Sequence, residues 1–226
     1  MTLTRCLLAI GLVLPLHGQT EETLLGAGVR DRPVYDGSDR QTTDLIPVVR
    51  YYGKPWFART TQGILEGGAR FAMATGLEGG VQLAYEQGPR DGDPGASLGL
   101  HLELDTALGP VPLNFLARTR TQLDTDRGSQ ADIRLTLGLY EGGGLRAGVF
   151  GQATWAGEKH MQAYYGVGDA GLLFTSVGLL GSYDLARHWV ALASAEVRRL
   201  AGTPARSAFV QDRTNHYLSA GIAYRF

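Results

Sequence analysis

Residues 215–226 read NHYLSAGIAYRF, and they alternate without a break. His216, Leu218, Ala220, Ile222, Tyr224 and Phe226 project to one side. Asn215, Tyr217, Ser219, Gly221, Ala223 and Arg225 project to the other. A period of two marks a β-strand, because successive side chains leave opposite faces of the pleat. One face is apolar and ends in aromatic residues. If this strand is part of a closed sheet, the rest of the chain must supply strands of the same pattern.

It does, working outward towards the N-terminus. Trp189, Ala191, Ala193, Ala195 and Val197 oppose Ser194, Glu196 and Arg198, and Leu173, Val177, Leu179 and Tyr183 start the strand before. Leu145, Ala147, Val149, Ala153 and Trp155 oppose Arg146, Gln152 and Thr154. Ile133, Leu135, Leu137 and Leu139 oppose Asp132, Arg134 and Thr136. Leu113, Phe115, Ala117 and Thr119 oppose Asn114, Arg118, Arg120 and Gln122. The cleanest alternation sets Leu98, Leu100, Leu102 and Leu104 against His101, Glu103 and Asp105. Leu77, Val81, Leu83 and Tyr85 oppose Glu78, Gln82 and Glu86; Leu65, Ala69, Phe71 and Met73 oppose Glu66, Gly68 and Arg70. Shorter stretches at Trp56–Gln62, Leu45–Tyr52 and Glu22–Arg30 complete the set.

Tight turns at Gly109, Gly142 and Ala186 alternate with longer polar connections at Arg90, Asp124, Ala156 and Ala201. Transmembrane barrels alternate short periplasmic turns with longer external loops in this way. Taken as one strand, Trp56–Met73 makes an odd total of eleven, whereas a single-chain bacterial barrel is even. A break near Gly63 makes twelve; merging with a neighbour makes ten. The expectation is an all-β, antiparallel up-and-down transmembrane β-barrel of 12 strands, with 10 as the alternative. A soluble sandwich or lipocalin-like barrel would turn the apolar face inward. The leader segment, the aromatics near strand ends (Tyr51, Trp56, Tyr85, Trp155, Tyr183, Trp189, Tyr224) and the terminal Phe226 weigh against it.

Residues 1–19 read as a secretory signal peptide, with Arg5 ahead of an apolar Cys6–Leu14 run broken by Pro15. Residues 20–226 then form the barrel domain. Cys6, the one cysteine among 226 residues, falls in the leader, so the exported chain needs neither a disulfide nor a thiolate metal site. No apolar run past the leader is long enough for a membrane helix. A net charge of −1 without a basic block points away from nucleic acid.

Residues 24–39, LLGAGVRDRPVYDGSD, carry a Gly-x-Gly strand followed by Pro-x-Tyr-x-Gly-Ser-Asp: Gly26, Gly28, Pro33, Tyr35, Gly37, Ser38 and Asp39. This stretch resembles the opening of the MipA/OmpV family (MltA-interacting protein). Leu45-Ile46-Pro47 with Tyr51-Tyr52-Gly53, Tyr164-Tyr165-Gly166-Val167, Arg199-Leu200-Ala201-Gly202 and the closing Tyr224-Arg225-Phe226 are similar to later family stretches. Arg206-Ser207-Ala208-Phe209-Val210 departs from the usual Ser-Pro-Leu-Val. The resemblance implies an outer-membrane protein in contact with outer-membrane lipid. It implies a non-enzymatic scaffold, with a murein transglycosylase and a murein synthase as periplasmic partners. Porin-like or adhesive roles are described for OmpV-like members.

Candidate chemistry is thin. Asp36, Asp39 and Asp44 form an acidic loop that reads better as turn caps than as a cation site. Gly26-Ala27-Gly28 lacks the third glycine and following helix of a dinucleotide fingerprint. His101, Glu103 and Asp105 share one strand face, as a barrel lipid hydrolase would need, but no motif places Ser97 beside His101. No cofactor or metal is expected; His160, His188 and His216 are scattered. The inward charges say more. Arg50, Arg59, Arg70, Arg118, Arg120, Arg134, Arg146 and Arg198 share a face with Glu66, Glu78, Glu86, Glu103, Asp105, Asp132 and Glu196. Mixed signs predict a lumen cross-linked by ion pairs, with a narrow channel as the alternative.

Overall fold

The computed structural model describes residues 22–86 and 93–226. Residues 1–21, which hold the expected leader and Cys6, and residues 87–92 of the connection near Arg90, lie outside them. The chain forms twelve antiparallel strands. They are β1 Leu24–Pro33, β2 Gln41–Tyr52, β3 Trp56–Thr61, β4 Ile64–Ala74, β5 Leu77–Glu86, β6 Gly95–Leu108, β7 Val111–Gln122, β8 Ser129–Gly142, β9 Leu145–Ala156, β10 Gly171–Ala186, β11 Trp189–Leu200 and β12 Thr214–Arg225. Each pairs with its sequence neighbour, and β1 pairs with β12 to close the barrel.

The closing seam explains the Gly-x-Gly motif. Gly26 lies opposite Ala223 and Gly28 opposite Gly221. A Cβ on Gly26 would run into the Ile222 carbonyl oxygen and the Ala223 Cα. Two inward glycines let the first and last strands approach where no side chain fits.

The barrel is inside-out relative to a soluble protein. Leu25, Leu45, Val81, Leu100, Leu135, Leu179, Leu218 and Ile222 are exposed on its outside. Arg118, Glu66, Asp132, Gln82 and Glu196 are buried on its inside. An apolar outer band around a polar interior is the transmembrane-barrel arrangement. Trp56, Phe71, Tyr140, Tyr183, Trp189 and Phe226 are exposed aromatics clustered at the end where β1 starts and β12 finishes. That end has the short turns and is therefore the periplasmic one.

Three local features differ from the sequence reading. Strands β1 and β2 extend to Pro33 and from Gln41, beyond the alternating stretches Glu22–Arg30 and Leu45–Tyr52, so the loop between them is short. A bulge between Leu172 and Phe174 takes Leu173 off the lipid face and buries it; an extra residue in one strand reverses side-chain parity. The connection after β9 contains a helix, α1 Glu158–Tyr165. Glu158 sits in its first turn, and Gly166 in the left-handed region (φ 68°) donates its N–H to Gln162 to end it.

The β3–β4 hairpin breaks near Gly63, as the twelve-strand reading requires. Strand β3 pairs with β2 only over Arg50–Tyr52. Its tip bends inward, where Gln62 donates to Glu196 of β11 at 2.9 Å.

Candidate functional site: the lumen and the external mouth

Mid-lumen, one chain of ion pairs crosses from β3 to β8. Arg59 Nε bonds Glu66 at 3.0 Å and Arg59 Nη1 bonds Glu103 at 2.9 Å. Arg118 bonds Glu66 and, at 2.7 Å, Asp132. Arg120 joins Asp132 at 3.1 Å and Glu86 at 2.8 Å. The side chains of Arg118, Glu66 and Asp132 have no exposed surface. Strand register produces this chain: Arg118 lies opposite both His101 and Asp132, and Arg59 lies opposite Glu66. Each of these guanidiniums bonds two carboxylates, which offsets the cost of burying the groups.

The other inward charges form satellites. Arg70 pairs with Glu78 at 2.7 Å and stacks on Tyr52. Asp105 and Glu103 both accept from Asn114. Near the periplasmic turns, Arg146 and Arg225 converge on Asp184 and Glu22. Arg134 stacks on Phe150 at 3.7 Å, and it lines a periplasm-facing cavity together with Arg50 of β2. His101 meets Phe57 edge-on at 5.0 Å. Ser97 donates to Glu86 at 2.6 Å, so its hydroxyl is turned away from His101.

At the external end the family motif folds into the mouth. Asp36 pairs with Arg198 at 2.7 Å and accepts from the Tyr217 hydroxyl. Arg198 also bonds Glu196 at 3.2 Å and stacks on Phe174 and Tyr217. Burial works to raise the Asp36 carboxyl, but the Arg198 charge and the bonds from Tyr217 and Arg198 outweigh it and hold it below the usual range. Gly37, at φ +101°, faces Val210 and Leu200; a side chain there would be strained and crowded. Its carbonyl accepts from Gln211 at 2.7 Å and Asp212 at 3.0 Å, and its N–H donates to Asn215 at 2.6 Å. Tyr35 donates to the Phe209 carbonyl at 3.1 Å.

Helix α1 completes the cover. Met161 and Tyr165 pack with Leu173, Phe174 and Leu200, against Val210. Ser207 donates to the Tyr165 carbonyl at 2.5 Å, so the stretch that departs from the family pattern is itself docked. His160 is buried, stacks on Tyr164 and contacts Gln130. Burial lowers its pKa to about 4, so the ring is neutral at pH 7. Loops 34–40, 157–170 and 201–213 therefore interlock. The acidic loop does not gather a metal site: Asp36 serves Arg198, Asp44 serves Arg32 at 2.5 Å, and Asp39 is exposed. No cluster of metal-ligating side chains occurs among the described residues.

The family described as MltA-interacting protein MipA matches residues 25–226. The chain belongs to this family. It is an outer-membrane β-barrel protein. Among solved structures, the NanC porin superposes with a TM-score of 0.55 at 9% identity, covering 90% of this chain and 100% of that one. An outer-membrane channel from Pseudomonas putida F1 superposes with a TM-score of 0.57 at 11% identity, covering 92% and 97%. These likenesses show the fold. No curated protein matches the sequence.

The Asp36 contacts lay beyond sequence reasoning. The motif marks the loop, but nothing local says that it dips towards β11. Arg30, Gln62 and Tyr217 likewise join the lumen cluster without a sequence signal beyond parity.

Proposed function

We propose that this protein is a non-enzymatic, non-conducting barrel that acts as a scaffold at the periplasmic face, holding a murein transglycosylase and a murein synthase. The carrying observation is the lumen: a buried chain of ion pairs crosses its middle, and three loops interlock across its external mouth. Such a barrel is a rigid anchor rather than an open pore. The family description names an interaction with MltA, which supports the choice of a murein enzyme as partner.

The test has two arms. Refolded protein in a planar bilayer gives no steady conductance steps, and the detergent-solubilised protein retains a purified murein transglycosylase on an affinity column. Reproducible steps from inserted protein would overturn the closed-barrel half. Absence of binding to the transglycosylase would overturn the scaffold half. The narrow channel is the second reading, favoured by the water-accessible cavity at the periplasmic end.

A further inference from the structure

A cavity of about 220 Å³ lies on the periplasmic side of the ion-pair chain, lined by Arg50, Arg59, Arg134, Glu103, Tyr52 and Asn114 among others. Three guanidiniums face one carboxylate there. Glu103 is already committed to Arg59 and Asn114.

Arg134 is the unusual member. Its side chain is buried, with 9% of the residue exposed. Among the described residues its Nε has no hydrogen-bond partner, and the guanidinium lies over the Phe150 ring. Gln152 lies opposite it in register but gives its amide to Thr154. Arg59 Nη2 is likewise buried without a well-formed hydrogen bond among the described residues, with Tyr52 as its polar neighbour. Buried guanidinium N–H groups left unpaired are costly, and folded proteins rarely keep them without a use. Arg50, on β2 across the barrel from Arg134 on β8, is more exposed and lines the same cavity. Guanidiniums in a fork geometry match planar oxyanions.

We propose that this cavity is a binding site for a small oxyanion, a carboxylate being the fitting class, entering from the periplasm. Arg134 and Arg59 supply the buried donors and Arg50 the entry charge. The volume is below that of a drug-sized pocket, about 300–1,000 Å³, so the acid is small or only its acidic end enters. The proposal stands apart from the scaffold reading, since it concerns the lumen and not a protein partner.

The test uses the refolded barrel in detergent micelles and titration calorimetry with glucuronate, inorganic phosphate and glucose. Saturable binding of glucuronate is expected, competed by phosphate and not by glucose. Arg134→Met should weaken it at least tenfold while leaving the urea midpoint unchanged or higher, because the variant removes an unpaired buried charge. A purely structural arginine would lower that midpoint. Arg50→Gln, at an exposed position, should weaken binding severalfold without touching folding. No saturable binding, equal competition by glucose, or an unchanged affinity in both variants would overturn the proposal.

Discussion

Replacing Arg118 by methionine removes the centre of the lumen. Its guanidinium touches Glu66 and Asp132, and none of the three side chains is exposed. After the substitution Glu66 keeps Arg59 at 3.0 Å and Asp132 keeps Arg120 at 3.1 Å, so neither carboxylate is orphaned. The loss should therefore sit near the lower end of the range for breaking a buried pair by removing one partner, about 3 kcal/mol. With a urea dependence of about 2 kcal/mol per molar, the midpoint falls by about 1.5 M. The assay is urea titration of the barrel in lipid vesicles, read by tryptophan fluorescence. Trp56, Trp155 and Trp189 are all exposed on the outer surface and report insertion. Adding Glu66→Gln should recover part of the loss, because one buried negative charge leaves with the cation. The coupling between the two sites should exceed about 1 kcal/mol. A loss below about 0.5 kcal/mol with no coupling would mean that water already solvates these groups. The filled-lumen argument would then be refuted.

Asp36→Ala should free loop 34–40 from Arg198 and Tyr217. At about 1.5–3 kcal/mol for bonds to a charged group, opening rises some tenfold to a hundredfold, read as faster protease cleavage in loops 34–40 and 201–213 with the barrel intact. Acid should loosen the same mouth through His160. Its folded pKa of about 4 lies below the unfolded value of about 6.5. Stability is therefore flat above pH 6.5 and falls as pH drops towards 4, by up to about 3 kcal/mol. His160→Gln should flatten that slope in a pH series of urea midpoints. Gly26→Val should block closure of β1 on β12, because its branched side chain meets the Ile222 carbonyl; gel mobility of the unheated protein would show no folded band.

Much of the architecture was legible because strand parity is local. The alternation in β6, Leu98 to Leu104 against His101 to Asp105, separates lipid face from lumen without reference to any partner. The break at Gly63 followed from the requirement for an even strand number. Bulges were not legible: the shift at Leu173 depends on how β9 and β10 pair, and no composition signal marks it. Helix α1 was also missed, since its eight residues are too few for a periodic pattern to stand out and its stability comes from packing on Leu173 and Leu200.

By itself the sequence determined the class of fold, the membrane-facing surface and the set of charges turned inward, and it narrowed the strand number to twelve or ten. Only the tertiary structure decided which charge meets which. It joined Asp36 to Arg198 across 162 positions and Glu66 to Arg118 across 52, and it left the buried Arg134 Nε without a hydrogen-bond partner among the described residues. A period of two fixes the direction of each side chain from covalent geometry alone. Contacts across a lumen depend on the stagger of twelve strands and the fold of the loops, which long-range hydrogen bonds set.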